Sequence, residues 1–260
     1  MEPPVKATLC GDVATIVLDR PKALNAFNLD MISSLADYLI NLAADDTIRA
    51  IVIGGAGKAF CAGADLRAID SWAEGYTSAF HNLAARYHQA ILEIRRMPKP
   101  VIAAVNGIAA GGGFSLALAC DFRIAGESAI FRQAYTSNGL TIDGGGTFTL
   151  PRLVGLAKAL EIAAFDPAIS APDALEMGLI TKLTHDDELW NTALAMAEDL
   201  KNNSLTSFAH VKELLNASYN TSFETHLENE RSALCKAAGT EDGMEGIQAF
   251  LEKRKPVFNR

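Results

Sequence analysis

The chain has 260 residues, 49% of them hydrophobic, and its 31 acidic against 23 basic side chains give a formal net charge of −8. This length and composition are typical of a globular α/β domain that buries a large core, with a smaller region appended. The acidic balance, without a lysine- or arginine-rich block, argues against nucleic acid as a partner. The four cysteines have neither zinc-type spacing nor the density of a secreted disulfide framework, and no apolar leader follows Met1. We therefore expect a reduced, cytoplasmic protein that holds no metal ion.

The chain opens with strand-like sequence followed by one amphipathic helix. Two strand-like runs, Ala7–Cys10 and Val13–Leu18, flank the Gly11-Asp12 pair, which predicts a β-hairpin. Asn28 suits the N-cap of a helix from Leu29 to Ala43, because apolar residues recur there at helical spacing.

Between Ala50 and Arg96 the sequence predicts a strand, a loop and two helices. The buried strand Ala50–Ile53 is followed by GGAGKAFCAGADL, a loop of small residues that runs into a helix at Asp65. Ser71–Thr77 breaks the pattern, so we expect a loop of the kind that borders pockets, before a helix over Phe80–Arg96. The small residues of the first loop allow another group to approach the backbone closely.

The stretch KPVIAAVNGIAAGGGFSLALACDFRI predicts a buried strand, a glycine turn, a helix and a second short strand. Val101–Val105 is the strand, and Gly111–Gly113 let the backbone pass close to another group before a helix begins at about Phe114. Free N–H groups at such a helix start form a site for an anion or an oxyanion. The uncharged run Val101–Cys120 is long enough to span a bilayer, but its Asn-Gly pair and its glycines favour strand, turn and helix, so we expect no membrane span.

The remainder of the chain is predicted to be mostly helical, after a glycine-rich irregular segment over Phe131–Gly146. A helix is expected over Thr147–Leu153, and Ser170-Ala-Pro-Asp is a capping box that opens another helix, which ends at Gly178. Four further helices are predicted at about Glu188–Lys201, Ser204–Ala217, Ser222–Ala237 and Thr240–Lys255. Strands first and helices last predict a core over residues 1–200 and a helical C-terminal region over residues 201–260.

Six motifs resemble, in order and spacing, those of the crotonase (enoyl-CoA hydratase/isomerase) superfamily. They are PKALNAF, GKAFCAGADL, KPVIAAVNGIAAGGG, LPRLVGLAKALE, ISAPDALEMGLI and EDGMEGIQAFLEKRKPVF. The resemblance covers nearly the whole chain and implies an α/β, crotonase-like spiral of ββα turns with a helical C-terminal trimerisation region. It implies a homotrimer or a hexamer built as a dimer of trimers. It also implies an acyl-CoA substrate, with coenzyme A as part of the thioester and no permanently bound cofactor.

By matched positions, the resemblance implies that the backbone N–H groups of Ala64, in CAGAD, and Gly112, in AGGG, hold the thioester oxygen. The chemistry agrees, because loss of a proton from the α-carbon gives an enolate, and two preorganised N–H groups stabilise its oxygen. The resemblance also implies contacts to coenzyme A. These are Lys22, Ala23 and Leu24 near the adenine, Arg67 near the phosphates, and Phe250 and Lys253 from a neighbouring subunit.

The chain departs from the hydratases of this family, which use two glutamates to activate and protonate the elements of water. Ser115 and Tyr135 stand at the two matching positions, so the paired general acid and base are missing. Asp143, in TIDGGGT, matches the position where several isomerases of the family carry an aspartate facing the acyl group. We expect Asp143 to be the general base of an isomerase in fatty or aromatic acid breakdown, with Tyr135 adding a hydrogen bond to the substrate. The alternative is a loop aspartate that caps the helix near Thr147.

A second interpretation makes Asp143 a covalent nucleophile, as in an acyl-CoA hydrolase or the arylacyl-CoA dehalogenase branch. In that branch a histidine precedes the glycine turn by the same number of residues as His88 does here. A lone helical histidine is, however, more often structural. Its aromatic pocket matches Phe80, Tyr87 and Tyr135. Against this interpretation, Ala64 replaces the pocket phenylalanine of the branch, and DGGGT is more similar to ring epoxide or enoyl isomerases. A third interpretation is a non-catalytic acyl-CoA-binding relative that has lost its glutamates.

Overall fold

The larger of two β-sheets has six strands, in the part of the chain that the computed structural model describes, residues 3–259. They are β1 Val5–Cys10, β2 Val13–Leu18, β3 Ala50–Gly55, β5 Val101–Val105, β7 Phe122–Gly126 and β10 Lys182–Thr184. Their spatial order is β1-β2-β3-β5-β7-β10, and every neighbouring pair is parallel except the β1–β2 hairpin. The hairpin predicted around Gly11-Asp12 is therefore confirmed.

A smaller sheet of four strands positions the loops of the site. Its strands, in spatial order, are β4 Ala59–Cys61, β6 Ile108–Ala110, β8 Ile130–Arg132 and β9 Ile169–Ser170. The first two pairs are parallel and the last is antiparallel. Each of β3, β5 and β7 is followed along the chain by a strand of this sheet and then by helix, which is the predicted ββα spiral. Strand β4 lies in a stretch that was predicted to be loop, because a three-residue strand has too little alternation to be recognised.

Eleven α-helices lie among residues 3–259. They are α1 Leu29–Ala44, α2 Leu66–Asp70, α3 Gly75–Arg96, α4 Gly112–Ala119, α5 Gly146–Val154, α6 Leu156–Phe165, α7 Ala171–Glu176, α8 Leu189–Lys201, α9 Leu205–Ala217, α10 Phe223–Ala238 and α11 Glu241–Leu251. The predicted caps are confirmed. The side chain of Asn28 accepts the N–H of Met31 at 3.0 Å, and that of Ser170 accepts the N–H of Asp173 at 3.3 Å.

Several helix boundaries differ from the prediction, and three of them lie near predicted site residues. Helix α3 begins at Gly75 rather than Phe80, because Gly75, with a φ of +80°, turns the chain into a helix whose first residues resemble loop sequence. Helix α4 begins at Gly112 rather than Phe114, so two of the glycines are helical. Helix α11 ends at Leu251 rather than Lys255, and Lys253 has the left-handed φ of +54° that stops a helix.

The large sheet is covered on both faces. On one face the apolar side of α1 and α3 meets β-strand residues such as Ile51 and Val101, and on the other Leu189 and Ala193 of α8 meet Val52. The run Val101–Cys120 forms β5 and α4, as predicted, and also the short strand β6, which was not predicted. No helix within residues 3–259 is long and apolar enough to cross a membrane.

Candidate active site

The Ala64 backbone lies beside Phe27, in an isolated parallel bridge. The Phe27 N–H donates to the Gly63 carbonyl at 2.6 Å, and the Asp65 N–H donates to the Phe27 carbonyl at 2.8 Å. In a parallel pairing of this kind, the residue between the two bonded groups directs its own N–H to the opposite side. The Ala64 N–H therefore points away from Phe27.

The glycines of the central turn bring α4 against the end of β4. Gly111 has φ +52° and ψ −126°, a conformation that side-chain-bearing residues avoid. A Cβ on Gly113 would lie 2.0 Å from the Cys61 carbonyl oxygen, and one on Gly63 would lie 3.2 Å from the Gly112 nitrogen. Gly112 is the first residue of α4, so its N–H has no acceptor inside that helix. The two loops that carry Ala64 and Gly112 thus touch each other.

Both residues line one cavity of about 390 Å³. Its polar groups include Asp143, Tyr135 and the backbone of Ala64 and Gly112. Apolar side chains from four segments form much of the wall, and they are Phe27, Leu66, Phe80, Leu83, Ala84, Tyr87 and Leu140. The structure therefore brings together four of the five residues predicted to act in catalysis, and the fifth, His88, lies beside Asp143 without lining the cavity. Such a wall suits an apolar group attached to a polar reacting centre.

The carboxyl group of Asp143 accepts a short hydrogen bond from the Tyr135 hydroxyl. Burial raises the pKa of Asp143, and this outweighs the Tyr135 hydrogen bond and the nearby His88, which both favour the charged form. Burial, followed by the Asp143 charge, raises the pKa of Tyr135, so the tyrosine stays a neutral donor. The pair therefore holds a carboxylate that is easier to protonate than an exposed aspartate.

His88 lies on α3 with its side chain about half exposed. Its Nε2 is 3.8 Å from the Asp143 carboxylate and accepts the Gly144 N–H at 3.4 Å. His88 thus positions the loop that carries Asp143, and it reaches the carboxylate only through a longer contact.

Ser115, which stands where hydratases carry a glutamate, is fully buried in α4. Its hydroxyl meets no hydrogen-bond partner at bonding distance within residues 3–259, although it lies close enough to Tyr135 to lower the pKa of that residue. A serine and a hydroxyl-bearing tyrosine cannot replace two carboxyl groups as acid and base near neutral pH. Among residues 3–259, Asp143 is the one carboxylate that lines the cavity.

Two anchoring residues were not found by sequence analysis. Asp166 is buried and lies 3.2 Å from the Arg132 guanidinium. Its carboxylate accepts the Ala134 N–H at 2.6 Å, and Ala134, which has a left-handed φ, lies next to Tyr135. Arg20 pairs with Asp65 at 2.8 Å and so fixes the residue after Ala64. Asp166 lies 32 residues from Ala134 along the chain, and Arg20 lies 45 residues from Asp65. No local pattern could therefore reveal either contact.

The residues expected to bind coenzyme A fall into two groups. Lys22, Ala23 and Leu24 form a turn whose Leu24 carbonyl accepts the Ala62 N–H at 3.0 Å, next to the cavity. Arg67, on α2, lines an adjoining hollow of about 550 Å³. Phe250 and Lys253 are exposed at the end of α11 and do not line the cavity of their own chain.

The sequence matches the enoyl-CoA hydratase/isomerase family over residues 10–260. It is similar to 1,2-epoxyphenylacetyl-CoA isomerase of Escherichia coli (strain K12), with 38% identity over 247 residues that cover 95% of this chain and 94% of that protein. It is 41% identical over 254 residues to the probable enoyl-CoA hydratase of Rhodobacter capsulatus, covering 98% and 97%. The crystal structure of an enoyl-CoA hydratase from Polaromonas sp. JS666 superimposes with a TM-score of 0.93 at 35% identity, covering 98% of this chain and 99% of that chain.

The spiral of ββα turns and this likeness define an α/β protein of the crotonase fold. The chain belongs to the enoyl-CoA hydratase/isomerase family, whose enzymes act on acyl-CoA thioesters. The predicted family and fold class are thereby confirmed.

Proposed function

We propose that the protein is an acyl-CoA isomerase, which shifts a double bond or rearranges a ring epoxide through an enolate. The observation that carries the proposal is the single carboxylate, Asp143, hydrogen-bonded to Tyr135 in a cavity where Ser115 replaces a second acid. A 1,3-proton shift consumes no water and needs one group that takes a proton and returns it. Hydration would need both an acid and a base.

In the proposed reaction, Asp143 removes a proton from C2 of a 3-enoyl-CoA. The electron pair of the C–H bond moves toward the thioester, and the resulting enolate oxygen accepts hydrogen bonds from the N–H groups of Ala64 and Gly112. The protonated Asp143 then returns the proton to C4, and the double bond forms between C2 and C3. The raised pKa of Asp143 favours the removal of the C2 proton, because it makes the carboxylate a stronger base.

The acyl group and the coenzyme A group meet different parts of the chain in this proposal. The apolar wall contributed by residues such as Phe80 and Leu140 suits a fatty or aromatic acyl group. Lys22, Ala23, Leu24 and Arg67 would contact the coenzyme A part of the substrate, and no permanently bound cofactor takes part. The similar protein from Escherichia coli that is named an epoxyphenylacetyl-CoA isomerase supports this reaction class.

The proposed assembly is a homotrimer or a dimer of trimers, in which Phe250 and Lys253 of one subunit reach the coenzyme A of another. Exposed apolar side chains on the C-terminal helices support it, because such patches mark interfaces. They include Leu215, Phe223, Leu227, Leu234, Ile247, Phe250 and Leu251.

A second candidate function is a hydrolase or dehalogenase that forms an ester at Asp143. The observation in its favour is His88, whose Nε2 lies 3.8 Å from the carboxylate and could activate water once an ester forms. Turnover in H₂¹⁸O separates the two reactions. The ester route places one labelled oxygen on Asp143 in a single turnover, whereas isomerisation leaves the carboxylate unlabelled, as mass spectrometry of the peptide would show.

A screen of 3-enoyl, 2-enoyl, aryl and epoxide CoA thioesters tests the proposal directly. We expect turnover of a 3-enoyl or ring-epoxide thioester and little hydration of a 2-enoyl thioester. Binding without turnover of any of them would support the non-catalytic interpretation, and efficient hydration would contradict the proposed isomerase.

A further inference from the structure

Tyr87 lies between the two halves of the candidate site. Its side chain is 2% exposed, and its hydroxyl donates a short hydrogen bond to the carbonyl oxygen of Gly112. Its ring packs against Phe27, with ring centroids 5.2 Å apart. Tyr87 was expected to be one of several aromatic pocket residues, and the hydrogen bond to the glycine turn was not predicted.

The same ring also supports the loop that carries Asp143. A Cβ on Gly144 would lie 2.3 Å from Cε1 of Tyr87 and 2.6 Å from its hydroxyl oxygen. The Gly144 backbone, at φ +60°, therefore rests directly on the ring, one residue after Asp143. One buried side chain thus contacts both the turn that carries Gly112 and the loop that carries the carboxylate.

We propose that Tyr87 is a positioning residue that fixes the direction of the Gly112 N–H relative to Asp143. The inference rests on the proposed function, in which that N–H holds the thioester oxygen. Tyr87 touches no reacting atom in this role. It acts through the two backbone segments that it holds.

The backbone freedom of glycine explains why the turn that carries Gly112 needs a side chain to hold it. Gly111, Gly112 and Gly113 have no Cβ to restrict their dihedral angles, and the close approach to β4 excludes larger residues at Gly113. The Gly112 N–H and C=O share one Cα, so a hydrogen bond to the carbonyl restricts where the N–H points. Burial raises the pKa of Tyr87 well above its usual range, so its hydroxyl stays a donor at every working pH.

The polarisation of a bound thioester carbonyl measures the geometry directly, whatever reaction follows. The probe is butanoyl-CoA with ¹³C at the thioester carbonyl, which has no double bond to move, studied by infrared difference spectroscopy. The test variant is Tyr87→Phe, which removes only the hydroxyl. The control is Tyr38→Phe, because Tyr38 is a partly buried tyrosine of α1 that does not line the cavity.

We expect the wild-type protein and Tyr38→Phe to shift the carbonyl band to lower wavenumber, and Tyr87→Phe to lose at least half of that shift. We also expect Tyr87→Phe to lower kcat by about tenfold, with KM little changed. This loss is smaller than the roughly 10²-fold or greater loss of kcat expected when an oxyanion donor itself is removed. A purely structural role would leave the band of the folded variant where it is in the wild type. Gly144→Ala, which presses on the ring and keeps the hydroxyl, should also reduce the shift, and it replaces Tyr87→Phe if that variant does not fold.

The outcomes separate the inference from the proposed function. A wild-type band that is shifted, and that both Tyr87→Phe and Gly144→Ala leave unchanged, overturns the role of Tyr87 and leaves the isomerase proposal standing. An unshifted band in the wild type overturns the oxyanion site and the inference with it.

Discussion

At the residue scale, the proposed chemistry rests on Asp143, because two opposing effects act on its carboxyl group. Burial raises its pKa, while the Tyr135 hydroxyl stabilises the charged form. The balance keeps the group basic enough to remove a proton and acidic enough to return it. Both effects can be tested by single substitutions.

We expect Asp143→Asn to lower the rate of isomerisation by at least about a hundredfold, because the amide keeps the shape and loses the base. Affinity for the CoA thioester, measured by calorimetry, should change little. The control is Asp37→Asn, an exposed aspartate of α1, which should keep wild-type turnover. Near-normal turnover in Asp143→Asn would leave the proposed reaction without its base.

The pH dependence of kcat/KM should reveal the hydrogen bond from Tyr135. The base works only when deprotonated, so the rate should fall as the pH drops through the pKa of Asp143, which lies above its ordinary value of 3.8. Tyr135→Phe removes a donor that lowers that pKa, so its acidic limb should move to higher pH. A limb that stays in place, or moves to lower pH, would contradict this account of the pair.

Replacing Ala64 by proline tests the other half of the site. Proline has no N–H, so Ala64→Pro removes one proposed donor to the enolate oxygen, and kcat should fall by roughly 10²-fold or more. Ala64→Ser keeps the N–H and serves as the control for added bulk. Retained turnover in a folded Ala64→Pro variant would count against this N–H as a donor.

At the element scale, a buried ion pair fastens α9 to the core. The Lys212 ammonium donates to Asp121 at 2.8 Å and to the Ile94 carbonyl, at the end of α3, at 2.7 Å. Burial raises the pKa of Asp121 and lowers that of Lys212, so each charge depends on the other for its stabilisation. Removal of one partner leaves a poorly solvated charge.

We expect Lys212→Met to lower the free energy of unfolding in urea by about 3 kcal/mol, because Asp121 loses its cation. Amide exchange should accelerate first in α9. Lys236→Met replaces an exposed lysine of α10 and should change the unfolding free energy by less than about 0.5 kcal/mol. Equal urea midpoints for the two variants would show that the buried pair does not fasten the helix.

At the scale of the whole molecule, two residues predicted to contact coenzyme A lie away from the cavity of their own chain. Phe250, 82% exposed, and Lys253 lie at the end of α11 rather than beside Asp143. In the proposed trimer they reach a neighbouring site. Sedimentation at micromolar concentration should therefore give a trimer or a hexamer, and a monodisperse monomer would contradict the assembly.

Subunit mixing tests whether the site is shared. We expect Lys253→Ala to raise KM by about tenfold, the loss of one charge-assisted contact, with little change in kcat. Lys236→Ala should leave KM unchanged. At low substrate, the activity of co-assembled Asp143→Asn and Lys253→Ala subunits should exceed the sum of the activities of the separate variants. The reason is that some sites then combine an intact Asp143 of one subunit with an intact Lys253 of its neighbour. Strict additivity would place Lys253 outside its neighbour's site.

Local pattern was enough to predict much of the fold. The Gly11-Asp12 hairpin, the Asn28 cap and the strand Val101–Val105 depend on turn chemistry and hydrophobic runs that are complete within a few residues. The motifs around Ala64, Gly112 and Asp143 were sufficient to place these residues in one family site by resemblance. The structure brings the same three residues to one cavity.

The sequence by itself thus indicated the family and the fold class through the resemblance of its motifs, and it singled out Asp143 as the candidate carboxylate, because these motifs are complete within neighbouring residues. The tertiary structure alone decided how these groups are held. The contacts of the Tyr87 hydroxyl with Gly112, of the Asp166 carboxylate with Ala134, and of His88 Nε2 with Gly144 join residues that lie 25 to 56 positions apart. Such contacts depend on how the strands of two sheets place their following loops, which no local pattern encodes.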